Sequence, residues 1–229
     1  MEKSDSPKSD YEIENDYSYA TARSRVLETK IREPELMDPG QVLREYGLEG
    51  KDIDAALEEL MEAGLREFEE SAPEAVAPFR LMADLGNIKA FLRNKRTDAS
   101  MSYSALGSFE IPETKEELGA RLREKGLEEL ADRLGVLLSQ RQRDADIYLE
   151  NHFAGLIKNQ FFLDYLKLQK NYLESDETPQ EFYSRLARFV KEKYVMKNMD
   201  ADVPTGFLLL RQRELTLARA KAVKDRIGE

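Results

Sequence analysis

Apolar residues recur at three- and four-residue steps along most of this chain, which is the spacing of one helix face. Over 16–32, Tyr19, Ala22, Val26 and Leu27 fall on one side, and Pro34 ends the run. Pro39-Gly40 opens a short segment over 41–46, stopped by Gly47. Over 51–68, Ile53, Ala56, Leu57, Leu60 and Ala63 share a face, and Asp52 is placed to cap the helix. Ser71-Ala72-Pro73-Glu74 reads as the start of a helix reaching Arg96, with proline at its first position. Pro78 marks either a kink or the true beginning.

One long break follows, over 97–112. It is rich in Ser and Gly and carries Tyr103, Leu106, Phe109 and Ile111 as packing residues. Helical spacing then resumes. Thr114 with Glu117 resembles a capping box, and 113–125 and 127–138 read as two helices hinged at Gly126. The stretch 144–174 is strongly apolar and aromatic and divides near Lys158-Asn159-Gln160. Residues 175–178 form a linker, Thr178-Pro179 opens a helix to about Met196, and Val203-Pro204-Thr205 opens the last one. No segment alternates with period two, and Thr, Val and Ile are sparse. The predicted fold class is all-α.

Composition agrees with a folded chain. Of 229 residues, 41% are hydrophobic and 35% charged. There are no cysteines, which excludes disulfides, thiolate metal sites and cysteine nucleophiles and fits a reducing, cytoplasmic setting. Residues 1–12 read as a flexible polar tail without the apolar core of a secretory signal, and 13–229 as a single helical domain. The longest apolar runs, such as Gly206 to Leu210, are soon broken, here at Arg211, so no direct membrane span is expected. Net charge is −10 but unevenly spread. Residues 33–75 hold 14 acidic and 3 basic side chains, whereas 185–229 hold 11 basic and 6 acidic. That polarity argues against nucleic-acid binding, which wants one dominant basic face. It is compatible with docking between two partners of different sign, while charge runs of this kind are usually solvated helix faces.

Catalytic signatures are missing. The sequence has no phosphate-cradling glycine loop, no G-x-S-x-G elbow and no H-E-x-x-H helix. Its one histidine, His152, has Leu149 three residues earlier where a di-iron bundle would need Glu. His152 therefore reads as a core-edge or surface residue. Glu58 with Glu62 reads as a pair of water-facing carboxylates, and Phe161, Phe162 and Tyr165 as core. No catalytic, cofactor-binding or metal-binding residue is assigned, and no cofactor is expected.

Three segments resemble one another: 84–95, with Asp84, Asn87, Ile88, Lys89, Leu92 and Arg93; 162–169; and 206–215, with Gly206, Phe207, Arg211 and Glu214, followed by Arg219. Ahead of them stand Tyr17, Tyr19, Ala22 and Arg23. Together and in this order they resemble the family of C-type subunits of the archaeal and bacterial A/V-type ATPases, called d-type subunits in vacuolar ATPases. That family opens with Tyr-x-Tyr-x-x-Ala-Arg, repeats an Asp-x-x-Asn-Ile-Lys-x-x-Leu-Arg helix and ends on a Gly-Tyr-Leu-Leu-x-Lys-x-x-Glu-Ile helix. The middle segment here lacks the Asn-Ile-Lys-x-x-Leu-Arg portion, and Leu217 stands where the family tends to have Asn.

The resemblance implies a funnel-like bundle of degenerate helical repeats, about 13–96, 113–174 and 178–229. It implies a non-catalytic adaptor in the cytoplasm, peripheral to the membrane through its partners. Those partners would be the central-stalk proteins and the membrane rotor ring of a proton- or sodium-translocating ATPase. The motif residues would be structural, with Asn87 and Arg93 making buried hydrogen bonds between helices. Two alternatives stand beside it: a free-standing helical scaffold that keeps the fold without the ATPase, and a carboxylate enzyme, for which only the acid-rich 33–75 region speaks.

Overall fold

The computed structural model describes residues 26–27, 38–45, 47–48, 51–97, 100–197 and 202–228. The described residues form nine helices and no strand. They are α1 (Pro39–Glu45), α2 (Ile53–Phe68), α3 (Pro73–Arg96), α4 (Lys115–Glu124), α5 (Glu128–Ser139), α6 (Gln142–Leu156), α7 (Gln160–Leu173), α8 (Pro179–Lys197) and α9 (Asp202–Gly228). The fold is all-α, as the periodicity predicts.

Local chemistry sets most of the boundaries. The Asp52 side chain accepts from the backbone N–H groups of Asp54 and Ala55 and starts α2. Thr114 Oγ1 accepts from Glu117 N at 3.2 Å and starts α4. Thr178 and Glu181 form a reciprocal box: Glu181 N donates to Thr178 Oγ1 at 3.3 Å, and Thr178 N donates to Glu181 Oε2 at 2.8 Å. Gly126, at φ 74°, makes the left-handed turn between α4 and α5. α3 begins at Pro73 and runs on through Pro78.

The core has two hydrophobic clusters. The first gathers residues of α1, α2, the start of α3, α7, α8 and α9, with Phe79, Phe162, Phe182 and Phe207 among its largest members. The second gathers the end of α3, Ile111, α4, α5 and α6, with Phe91, Leu118, Leu122 and Phe153 at its centre. α3 belongs to both: Ala75, Val76 and Phe79 pack in the first, and Leu85, Ile88, Phe91 and Leu92 in the second. The segment 113–174 divides between them, with α4 to α6 in the second cluster and α7 in the first.

α9 is the central helix of the first cluster. Residues 204–211 are buried without a break, as a helix enclosed on all sides must be. It runs antiparallel to α2: Arg219 reaches Asp54, while a Cβ on Gly64 would meet Leu208 and Arg211. Each fully buried Leu or Phe there contributes about 1.5–3 kcal/mol.

Candidate functional site

The residues of α3 singled out in the sequence face in three directions. Ile88 and Leu92 point into the second cluster and are fully buried. Lys89 and Arg93 point at α6. Asp84 and Asn87 point at the segment over 100–112, the strap.

The strap is held mainly by side chains. Asn87 clasps Ser104 with both ends of its amide: Nδ2 donates to Ser104 O at 2.8 Å, and Oδ1 accepts from Ser104 N at 2.7 Å. Asn94 does the same to Met101, at 2.8 and 2.7 Å. The spacing follows from geometry. Seven helical residues rise about 10.5 Å. Three extended residues span about 10 Å. Two asparagines on one face of α3 can therefore each take one residue of an extended segment lying beside it. Further along, the Asp84 carboxylate accepts from Ser108 N and Ser108 Oγ, both at 2.7 Å. Asp84 is 1% exposed, and burial pushes its carboxyl above the usual range while the Ser108 bonds oppose that shift. Gly107 is required here, since a Cβ would lie 2.7 Å from Asp84 Oδ1.

α2 grips the strap from the other side. Glu58 Oε1 accepts from Ser104 Oγ at 2.5 Å and from Ala105 N at 2.6 Å. Arg80 of α3 donates to Leu106 O at 3.0 Å and forks onto Glu62. That guanidinium, against the opposing effect of burial, holds the Glu62 carboxyl below its ordinary range. The expectation that Glu58 and Glu62 face water is therefore corrected. Both are partly buried and bind groups that arrive from elsewhere in the chain, which helical periodicity cannot show.

α3 and α6 form an antiparallel polar ladder. Lys89 meets Glu150 at 2.5 Å, Arg93 meets Asp146 at 3.0 Å, and Arg96 donates to Gln142 Oε1 at 2.6 Å. Arg96 also donates to the carbonyls of Leu137 and Leu138. α5 has no basic residue in its last turn, so Arg96 supplies from α3 the charge that its C-terminus lacks. Arg93 does bond helix to helix. Asn87 does not; its partner is the strap, whose path the sequence does not reveal.

The α9 residues fall into two groups. Gly206 and Phe207 are in the core, and Arg211 and Glu214 are buried charged residues on the same helix. Arg219 lies on the surface, 2.8 Å from Asp54. Tyr17, Tyr19, Ala22 and Arg23 lie outside the described residues. Phe161, Phe162 and Tyr165 are core, and His152 sits at the core edge beside Tyr148 and Phe153.

Asn159 is a tie that the sequence marks only as a helix junction. Its Oδ1 accepts from Phe162 N at 2.9 Å and caps α7. Its Nδ2 donates to Glu74 O at 3.1 Å and to Thr205 Oγ1 at 3.0 Å, joining the starts of α3, α7 and α9. Asn94 is the more legible of the two ties that periodicity passes over, since it stands seven residues after Asn87 on the same face.

Among the described residues, no helix is long and apolar enough to cross a membrane, and no group of three acidic or histidine side chains is placed to hold a metal ion. Fold and site together define an all-α protein whose motif residues tie its own elements together. Comparison with protein-family models, with curated proteins and with solved structures returns no match.

Proposed function

We propose that this chain is a non-catalytic adaptor of a rotary A/V-type ATPase, seated between the central stalk and the membrane rotor ring on the cytoplasmic side. The four ordered motif segments, from Tyr17 to Arg219, carry the reading. The placement of the motif residues supports it. Asp84, Asn87, Lys89 and Arg93 bind a strap and a neighbouring helix, and Arg219 binds α2. A coupling that transmits torque needs such ties more than it needs a reactive group. α3 is a 24-residue helix shared by both clusters and clamped on two sides. In this reading it resists bending as load passes between the stalk foot and the ring.

The test is purification of the tagged chain from its own cells in mild detergent. Ring and central-stalk proteins in a fixed ratio are expected by mass spectrometry. Recovery without either, together with unchanged abundance in cells lacking the ring proteins, overturns the reading in favour of a free-standing scaffold.

A further inference from the structure

α2, the strap and α9 enclose a groove of about 540 Å³. Its apolar floor is narrow, formed by the nearly buried Leu57, Met61 and Leu215, and the polar Ser102, Ser104, Gln212 and Thr216 line the groove as well. Two acids stand one turn apart on the α2 wall. Asp54 is ion-paired with Arg219. Glu58 meets no cation among the described residues. Its Oε1 is taken by Ser104 Oγ and Ala105 N, and its Oε2 has no partner among those residues.

We infer that this groove docks a lysine-bearing, otherwise aliphatic segment of a partner protein. The lysine ammonium sits at Glu58 Oε2, and its methylene stem lies on Leu57, Met61 and Leu215. Three observations lead to that occupant. An apolar floor ending at a carboxylate matches a side chain with an apolar stem and a charged head. The carboxylate is held in place by the strap before any partner arrives, so little ordering is needed on binding. Only one carboxylate oxygen is open, which suits the compact ammonium better than the two-pronged guanidinium. The docking is a property of the isolated chain and holds whether or not the chain joins a rotor.

The experiment uses the full chain with ¹³C-methyl methionine, the Met61 signal being assigned from its loss in M61L. Acetyl-Leu-Lys-Leu-amide is titrated in beside the matching Gln and Arg peptides and spermidine. A saturable Met61 shift with the Lys peptide is expected, at least tenfold weaker for the Gln peptide. E58Q should weaken Lys-peptide binding by a similar factor. E59Q, on the exposed face of α2, should leave it unchanged. Equal binding of the Gln peptide, indifference to E58Q, or tighter binding of the Arg peptide or of spermidine overturns the inference. If E58Q fails to fold, the peptide comparison on the natural chain decides alone.

Discussion

Asn159 donates to the carbonyl of Glu74 at 3.1 Å, and that carbonyl is the acceptor whose helical donor is missing because residue 78 is proline. A proline inside a helix removes one bond to the residue four positions earlier. Asn159, 85 positions along the chain, replaces it. α3 thus passes through Pro78 with the freed carbonyl satisfied. Asn159→Ala should destabilise the protein by about 1–3 kcal/mol, since it removes a cap and two further bonds. In a Pro78→Ala background the backbone N–H returns, and the cost should fall by about 0.5 kcal/mol or more. Urea unfolding of the four proteins measures the coupling; strict additivity would count against the relationship.

Gly107→Ala should loosen the strap. The added Cβ meets Asp84 Oδ1 at 2.7 Å and Asn87 Nδ2 at 3.0 Å, both anchors of the strap. Overpacking of this kind costs about 1–3 kcal/mol. Amide exchange should rise at Ser104 and Ser108, which Asn87 and Asp84 hold, and rise less at Met101, which Asn94 holds. Uniform acceleration at all three amides would mean that the strap is released as one piece.

The α3–α6 ladder is testable by charge exchange. Lys89→Glu sets two carboxylates against each other at Glu150 and should cost about 0.5–1 kcal/mol, the scale of a partly exposed pair. Lys89→Glu with Glu150→Lys should recover most of that loss. The recovery should shrink in high salt. Thermal melts at two ionic strengths check both points.

Asp84 and Glu62 should respond to pH in opposite senses. The folded-state pKa of Asp84 is raised by burial, so the folded protein takes up its proton more readily than the unfolded chain. Its ionisation therefore costs stability as pH rises through that raised pKa, and acidification recovers the loss. The folded-state pKa of Glu62 is depressed by Arg80, so its contribution is present above the ordinary carboxylate range and lost as pH falls through the depressed value. Glu62 and its partner Arg80 are present in both D84N and the natural protein. Subtracting the stability of D84N from that of the natural protein should therefore isolate Asp84. The difference should favour the natural protein increasingly as pH falls from about 7 toward about 4, the range above the ordinary carboxylate pKa. A difference independent of pH would show that Asp84 does not titrate in that window.

The helices are legible in the sequence because their boundaries rest on local chemistry. Asp52, Thr114, Gly126 and Thr178-Pro179 each act within a few residues of themselves. The core face of α3 is legible for the same reason, as Ile88 and Leu92 follow helical spacing. The polar ties are not. Glu58 reaches Ala105, Arg93 reaches Asp146 and Asn159 reaches Glu74, across 47, 53 and 85 positions. Period and capping rules carry no information over such separations. Periodicity rightly makes α2 an amphipathic helix, but it cannot tell that two of its acids, Glu58 and Glu62, are partly buried.

The division of the core also sets an order of assembly during synthesis. Every residue of the second cluster lies between Leu85 and Phe153. The first cluster draws on residues from Leu27 to Phe79 and then on residues from Ile157 to Ala218. On the ribosome, the second cluster has all its parts as soon as α6 emerges. The first must wait for α9, the helix at its centre, with α1 and α2 holding an apolar face open until then. The interval in which this chain most needs a chaperone is therefore the translation of the stretch from Ile157 to Ala218, and the surface at risk is the one that α9 later covers.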